Sequence, residues 1–85
     1  MKKIEIYTTP ICGYCARAKR LLDEKGAPYV EFDVMRDPAL RAEMTQRSMG
    51  GRTVPQIFVD GQPIGGCDDL FALERAGKLD SLLAA

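Results

Sequence analysis

Residues 3–34 read as strand, break, helix, break, strand, and few folds accept that order. Lys3–Tyr7 (KIEIY) alternates, with Ile4 and Ile6 on one face, as a half-buried strand does. Thr8-Thr9-Pro10 breaks it. Gly13–Lys25 is rich in helix formers, and Cys15, Ala18, Leu21 and Leu22 fall at helical spacing on one side. Gly26 suits a helix C-terminus, and Pro28 follows it. Tyr29–Val34 (YVEFDV) alternates again, with Val30, Phe32 and Val34 expected inward. The crossover in such a unit makes its two strands parallel and its connection right-handed.

The rest of the chain must cover that unit. Asp37-Pro38 reads as an N-cap followed by proline at the first helical position. A second helix is predicted to about Ser48, with Leu40 and Met44 buried and Gly50-Gly51 ending it. Gln56–Asp60 is a third strand, with Ile57 and Val59 on one face and Phe58 on the other. Asp60-Gly61 is a strong hairpin signal. The strand after it, Gln62–Ile64, contains Pro63 and so belongs at a sheet edge. Gly65-Gly66 breaks it, and Cys67–Ala76 forms a third helix with Asp68 and Asp69 in its first turn. Leu79–Leu83 adds at most a last turn or two. The expected architecture is α/β, in the order β-α-β-α-β-β-α, with a four-stranded mixed sheet and helices on both faces. With 85 residues, the whole of 1–85 makes one domain.

Charge and apolar patterning exclude several roles. Lys plus Arg number 12 and Asp plus Glu number 12, which argues against a nucleic-acid or membrane-surface binder. No apolar run approaches the ~20 residues of a membrane span, and Glu5 interrupts what would be a signal-peptide core. A cytoplasmic location, where thiols stay reduced, is expected.

Two of the three cysteines, Cys12 and Cys15, stand three apart in "TTPICGYCARAKRLL", where the first helix begins. Helical neighbours at that spacing have Cβ atoms ~5–6 Å apart, close enough to be bridged by a disulfide. Free N–H groups and the helix dipole favour a thiolate at Cys12. Arg17, Lys19 and Arg20 are expected to add positive potential. Cys15, one turn in, should be more buried and the poorer nucleophile. Cys12 then attacks and Cys15 resolves. A structural zinc site needs four Cys or His ligands, and this chain has three cysteines and no histidine. Two inert buried cysteines fit poorly with a strand-to-helix turn of a βαβ unit, the setting that makes C-x-x-C a redox signal.

Three segments in order, "IYTTPICGYCARAKRLL", "RTVPQIFVDGQPIGG" and "GGCDDL", resemble the glutaredoxin family, most of all its small bacterial dithiol members of the glutaredoxin-3 type. The resemblance runs from about Lys3 to Asp80. It implies a thioredoxin fold, glutathione as reductant, no tightly bound cofactor, and disulfide-containing proteins and glutathione mixed disulfides as substrates. By the same resemblance Cys12 is the nucleophile and Cys15 the resolving thiol. Tyr14 packs beside glutathione. Thr53, Val54 and Pro55 form the "TVP" segment, with Pro55 cis and the Val54 backbone pairing with the tripeptide. Gly66, Cys67 and Asp68 bind its γ-glutamyl end, with Gly66 allowing close approach and Asp68 holding the amino group. Cys67 itself reads as a packed residue, and Arg47 and Arg52 as solvated surface charges. The loop Ser48–Arg52 matches the family poorly.

Two positions depart from the family pattern: Gly13 stands where proline usually follows the first cysteine, and Thr9 where lysine is common. Gly13 restores a backbone N–H and loosens the turn. That opens an alternative of another class, a glutathione-ligated [2Fe-2S] dimer with one Cys12 from each chain as ligand. Without a cluster the chain is expected to be a monomer.

Overall fold

The computed structural model describes residues 2–84. Eight elements follow one another: β1 (Ile4–Thr8), α1 (Gly13–Glu24), β2 (Tyr29–Asp33), α2 (Pro38–Arg47), β3 (Gln56–Val59), β4 (Gln62–Gly65), α3 (Cys67–Arg75) and α4 (Leu79–Leu83). The strands make one sheet in the order β2-β1-β3-β4. β1 and β2 are parallel, with Ile4 opposite Tyr29 and Thr8 opposite Asp33. β1 is antiparallel to β3, with Ile6 opposite Ile57, and β3 is antiparallel to β4. This is the expected β-α-β-α-β-β-α order, extended by α4, and β1 runs one residue further than expected, to Thr8.

Side-chain alternation assigns the two faces. Ile4, Ile6, Ile57 and Val59 point to one side, where Ala18, Leu21 and Leu22 of α1, Leu70 of α3, and Leu79 and Leu83 of α4 close over them. Leu79 and Leu83 are four apart and so share a helix face, which gives the last segment its reason to coil. Lys25 ties it down through ion pairs to Glu74 and Asp80, both 2.8 Å. Tyr7 and Phe58 point to the other side, against Met44 of α2 and Val34.

Local signals act where expected. The Asp37 carboxylate accepts the Ala39 N–H at 2.9 Å, with Pro38 opening α2. Asp60 and Gly61 both have positive φ, 49° and 80°, the hairpin geometry their pairing predicts. β4, with Pro63, lies at the sheet edge.

Three expectations need correction. Val30 is 48% exposed, not inward. It lies on edge strand β2 opposite Glu5, and the face they share carries the Glu5–Arg47 ion pair there, not an apolar lid. After α2 the chain first turns left-handed at Met49 (φ 61°), ahead of Gly50. Arg47 is no solvated surface charge, because it is tied into the interior. It donates to both Glu5 carboxylate oxygens (2.8 and 3.3 Å) and to the Tyr7 hydroxyl (2.7 Å). Its guanidinium also lies 4.3 Å from the Phe58 ring centre, and the Tyr7 hydroxyl in turn donates to Glu43. Arg52 is exposed, as expected.

Candidate active site

Cys12 is the N-cap of α1, with extended backbone (φ −146°, ψ 108°). Its Sγ accepts the Cys15 N–H at 3.1 Å, so the sulfur already satisfies one of the orphan donors at the helix start. Cys12 is half-buried, whereas Cys15 is 1% exposed beneath it. Burial pushes the Cys15 thiol up to about 12, with the hydrogen bond to Cys12 adding to the shift. The two thiols are therefore unequal in access, as the helix position implied, and burial holds Cys15 in its thiol form.

The basic residues are placed differently from expectation. Lys19 is held by Glu31 at 2.9 Å, and Glu31 also accepts the Thr8 hydroxyl at 2.7 Å. Arg17 lies over the Phe71 ring, 5.1 Å from its centre. The backbone N–H, not a cluster of cations, is what touches the Cys12 sulfur.

The Val54–Pro55 peptide is cis, as the resemblance implied. The Cys12 thiol is 3.8 Å from the Val54 carbonyl oxygen, so residues 42 apart in sequence meet here. A groove of about 480 Å³ opens beside them, lined by Tyr14, Thr53–Gln56 and Gly65–Asp69. That volume suits a small ligand. All seven residues expected to bind glutathione line it: Tyr14, Thr53, Val54, Pro55, Gly66, Cys67 and Asp68. Tyr14 is 58% exposed at its rim.

Sequence reading missed Gln56, Gly65 and Asp69, which also line the groove. The Gln56 amide donates to the Thr53 carbonyl at 3.0 Å and braces the loop. The Asp69 carboxylate accepts the Gly66 N–H at 2.9 Å and caps α3. Gly65 adopts φ 113°, and a side chain there would collide with that carboxylate. The signal was present in the spacing: Asp69 is three residues after Gly66, where a capping acid belongs. Gly66 has a reason beyond ligand access, since a Cβ on it would start 3.3 Å from the Pro55 carbonyl oxygen. With Asp69 as the cap, the Asp68 carboxylate makes no hydrogen bond among the described residues and stands at the groove beside the first N–H groups of α3. That pairing of free N–H groups and a free carboxylate suits a zwitterionic head, a carboxylate at the helix end and an ammonium on Asp68. Cys67 is 4% exposed, and burial raises its thiol, so it is a packed residue, as expected.

A small mixed sheet flanked by helices, with a thiol pair at the β1–α1 turn facing a cis-proline loop, defines a thioredoxin-like thiol–disulfide oxidoreductase. The glutaredoxin family model matches residues 4–64, and the chain belongs to the glutaredoxin family. Glutaredoxin 3 of Escherichia coli K12 is 54% identical over 83 residues, covering 98% of this chain and 99% of its own. The solution structure of glutaredoxin from Brucella melitensis superposes with a TM-score of 0.85 at 58% identity, covering 98% of this chain and 89% of that one. The buckwheat glutaredoxin–glutathione complex gives 0.88 at 36% identity, covering 96% and 76%. The chain is accordingly a glutathione-dependent disulfide oxidoreductase. Among the described residues no helix is long and apolar enough to cross a membrane.

Proposed function

We propose that Cys12 carries out the exchange and that the groove from Tyr14 to Asp68 holds glutathione. The observation that carries this is the inequality of the thiols at one helix start: a half-exposed Cys12 with an N–H on its sulfur, above a buried, protonated Cys15. The Cys12 thiolate attacks one sulfur of a substrate disulfide. A Cys12–substrate disulfide forms, and the other substrate sulfur leaves as a thiolate. Cys15 then loses its proton and displaces the substrate, which departs reduced and leaves a Cys12–Cys15 disulfide. Two glutathiones return the pair to thiols and are released as their disulfide. With a glutathione mixed disulfide, Cys12 takes the glutathionyl group, and a second glutathione removes it without Cys15.

Tyr14 and the backbone of the Thr53–Pro55 loop hold the tripeptide backbone, while the N–H groups of Cys67 and Asp68 and the Asp68 carboxylate hold its γ-glutamyl head. Three cysteines, an odd number, fit a reducing, cytoplasmic setting better than a secreted disulfide framework, and the working form is a monomer. The [2Fe-2S] reading has less support. Such a cluster takes four thiolates, and Cys15 and Cys67 are both buried, which leaves Cys12 as the accessible one. A second chain and two glutathiones would have to supply the rest.

Steady-state turnover of a small glutathione mixed disulfide tests the roles. Cys12→Ser should abolish it and Cys15→Ser should retain it. Loss in Cys15→Ser with survival in Cys12→Ser would reverse the assignment.

A further inference from the structure

The apolar face of α1 is broken once. Cys15, Ala18 and Leu22 are buried at positions i, i+3 and i+7, and the remaining inward position, i+4, is held by Lys19. Both neighbouring strands turn polar beside it. Along β1, Ile4 and Ile6 face α1, and the next residue on that side is Thr8, 1% exposed. On β2, Glu31 stands opposite Ile6 and so shares its face. The three are joined: the Glu31 carboxylate accepts the Thr8 hydroxyl at 2.7 Å and the Lys19 ammonium at 2.9 Å. The aliphatic core therefore ends in a polar cluster, one helical turn from Cys15.

Of the three cations of α1, Lys19 is the one that serves this thiol. Residues four apart on a helix have Cβ atoms ~5–6 Å apart. Arg17 lies over the Phe71 ring and, with Arg20, lines a separate groove. Burial dominates at Cys15 and raises its thiol, and the Lys19 charge acts against that rise. The hydrogen bond to Glu31 raises Lys19 in turn, with Tyr29 and Cys15 as further negative neighbours, so it keeps its ammonium. Cys15 must become a thiolate to resolve a mixed disulfide, and its burial opposes that.

We propose that Lys19, held in place by Glu31 and Thr8, supports the developing Cys15 thiolate in the resolving step, and so speeds the dithiol reaction without entering the monothiol one. In that step Cys15 gives its proton to the medium and its sulfur bonds to Cys12 Sγ. The Cys12–substrate bond breaks, and its electron pair leaves on the substrate sulfur, which takes up a proton. Lys19 keeps its own proton throughout. It is a fixed charge, not an acid or a base, and Glu31 keeps it from swinging into solvent.

The inference rests on the roles proposed above for Cys12 and Cys15, and stopped-flow kinetics keep the two apart. Reduced protein is mixed with an equimolar symmetric nitrobenzoate disulfide, whose thiolate is coloured. Cys12 releases the first thiolate and Cys15 the second. Cys12→Ser should remove both phases and Cys15→Ser only the second. A second phase that survives Cys15→Ser would overturn the thiol roles and the proposal with them. Lys19→Met keeps the length and drops the charge. It should slow the second phase about fivefold, the size expected for one charge ~6 Å from a half-formed thiolate near the surface, and leave the first phase unchanged. Lys19→Arg should restore the rate. Turnover of a small glutathione mixed disulfide, which needs Cys12 alone, should be the same in both variants. The ion pair is partly exposed, at 30% and 38%, and such pairs contribute little to stability, so both variants should fold. A second phase unmoved by Lys19→Met overturns the proposal and leaves the cluster a structural plug. Equal slowing in Lys19→Met and Lys19→Arg also overturns it, because the charge would then not matter, as does equal slowing of both phases.

Discussion

On one face of the sheet, Ile4, Ile6, Ile57 and Val59 meet α1, α3 and α4 through aliphatic side chains. On the other, Tyr7 and Phe58 meet α2 through Met44 and Leu40, Glu43 accepts from the Tyr7 hydroxyl, and Arg47 reaches across to Glu5 and the same hydroxyl. The first face is redundant, since loss of one aliphatic group leaves many others. The second concentrates its hold in one guanidinium that satisfies a carboxylate, a phenol and an aromatic face at once. The active-site elements are divided accordingly. α1 and α3, which carry Cys12 and the α3 end of the groove, stand on the aliphatic face. α2 stands on the polar face and sends no residue to the glutathione groove. The chemistry is mounted on the side whose core contacts are aliphatic, with its ion pairs, Lys19–Glu31 and Lys25 to Glu74 and Asp80, at the rim.

Breaking the aliphatic face should have the largest effect. Leu22 is fully buried between α1 and the sheet. Leu22→Ala should cost about 3 kcal/mol through lost burial and the cavity left behind, and the loss should be the same at pH 4 and pH 7 in denaturant titrations.

Arg47→Met is next, at about 2 kcal/mol near neutral pH. It strands the Glu5 carboxylate, whose side chain is 9% exposed. Removing one partner of a fully buried pair costs ~3–5 kcal/mol, and the smaller figure reflects the partial exposure of Arg47. This loss should depend on pH. The hydrogen bond from Arg47 holds the Glu5 carboxyl below its ordinary value of 4.5. A depressed acid stabilises the fold above its unfolded pKa, and that stability is lost as pH falls through the folded value. The gap between wild type and Arg47→Met should therefore close on acidification below about pH 4.5, while the Leu22→Ala gap stays open. Parallel gaps for both variants would mean that Arg47 works by packing alone.

This division also explains what the sequence could show. Ile4, Ile6, Ala18, Leu22, Ile57 and Val59 follow strand and helix periods, and periodic burial is a local property legible without a structure. Asp37-Pro38 and Asp60-Gly61 act within four residues, and both were legible. Glu5 and Arg47 were not, because their pairing spans 42 residues and neither is unusual alone. Val30 was misplaced for the same reason: alternation gives the face a side chain points to, not whether another element covers it. In the site, the cysteine pair and its inequality follow from helix position, and the groove residues came through family resemblance. The 3.8 Å approach of Cys12 to Val54 is a tertiary fact that no local pattern contains. At Asp68 and Asp69 two adjacent acids looked alike, and the fold separates them into a cap and a free carboxylate.

That separation gives the smallest stability effects and the sharpest contrast. Asp69→Ala removes the acceptor of the Gly66 N–H and should cost about 1 kcal/mol, the usual worth of a helix cap. The start of α3 should loosen, and the Gly66 amide should exchange faster in hydrogen-exchange NMR. Asp68→Ala removes no hydrogen bond within the described residues and should change stability by less than about 0.5 kcal/mol. Its effect belongs to ligand binding: a charge-assisted contact to the γ-glutamyl ammonium is worth ~1.5–3 kcal/mol. The KM for glutathione-containing substrates should therefore rise about tenfold, with kcat little changed, because in the proposed binding mode Asp68 meets the head of the tripeptide and not the reacting sulfurs. Asp68→Asn should recover only part of the loss, since the amide keeps the shape and drops the charge. An unchanged KM in Asp68→Ala, with stability also unchanged, would leave that carboxylate without a role and move recognition of the γ-glutamyl head to the helix N–H groups alone.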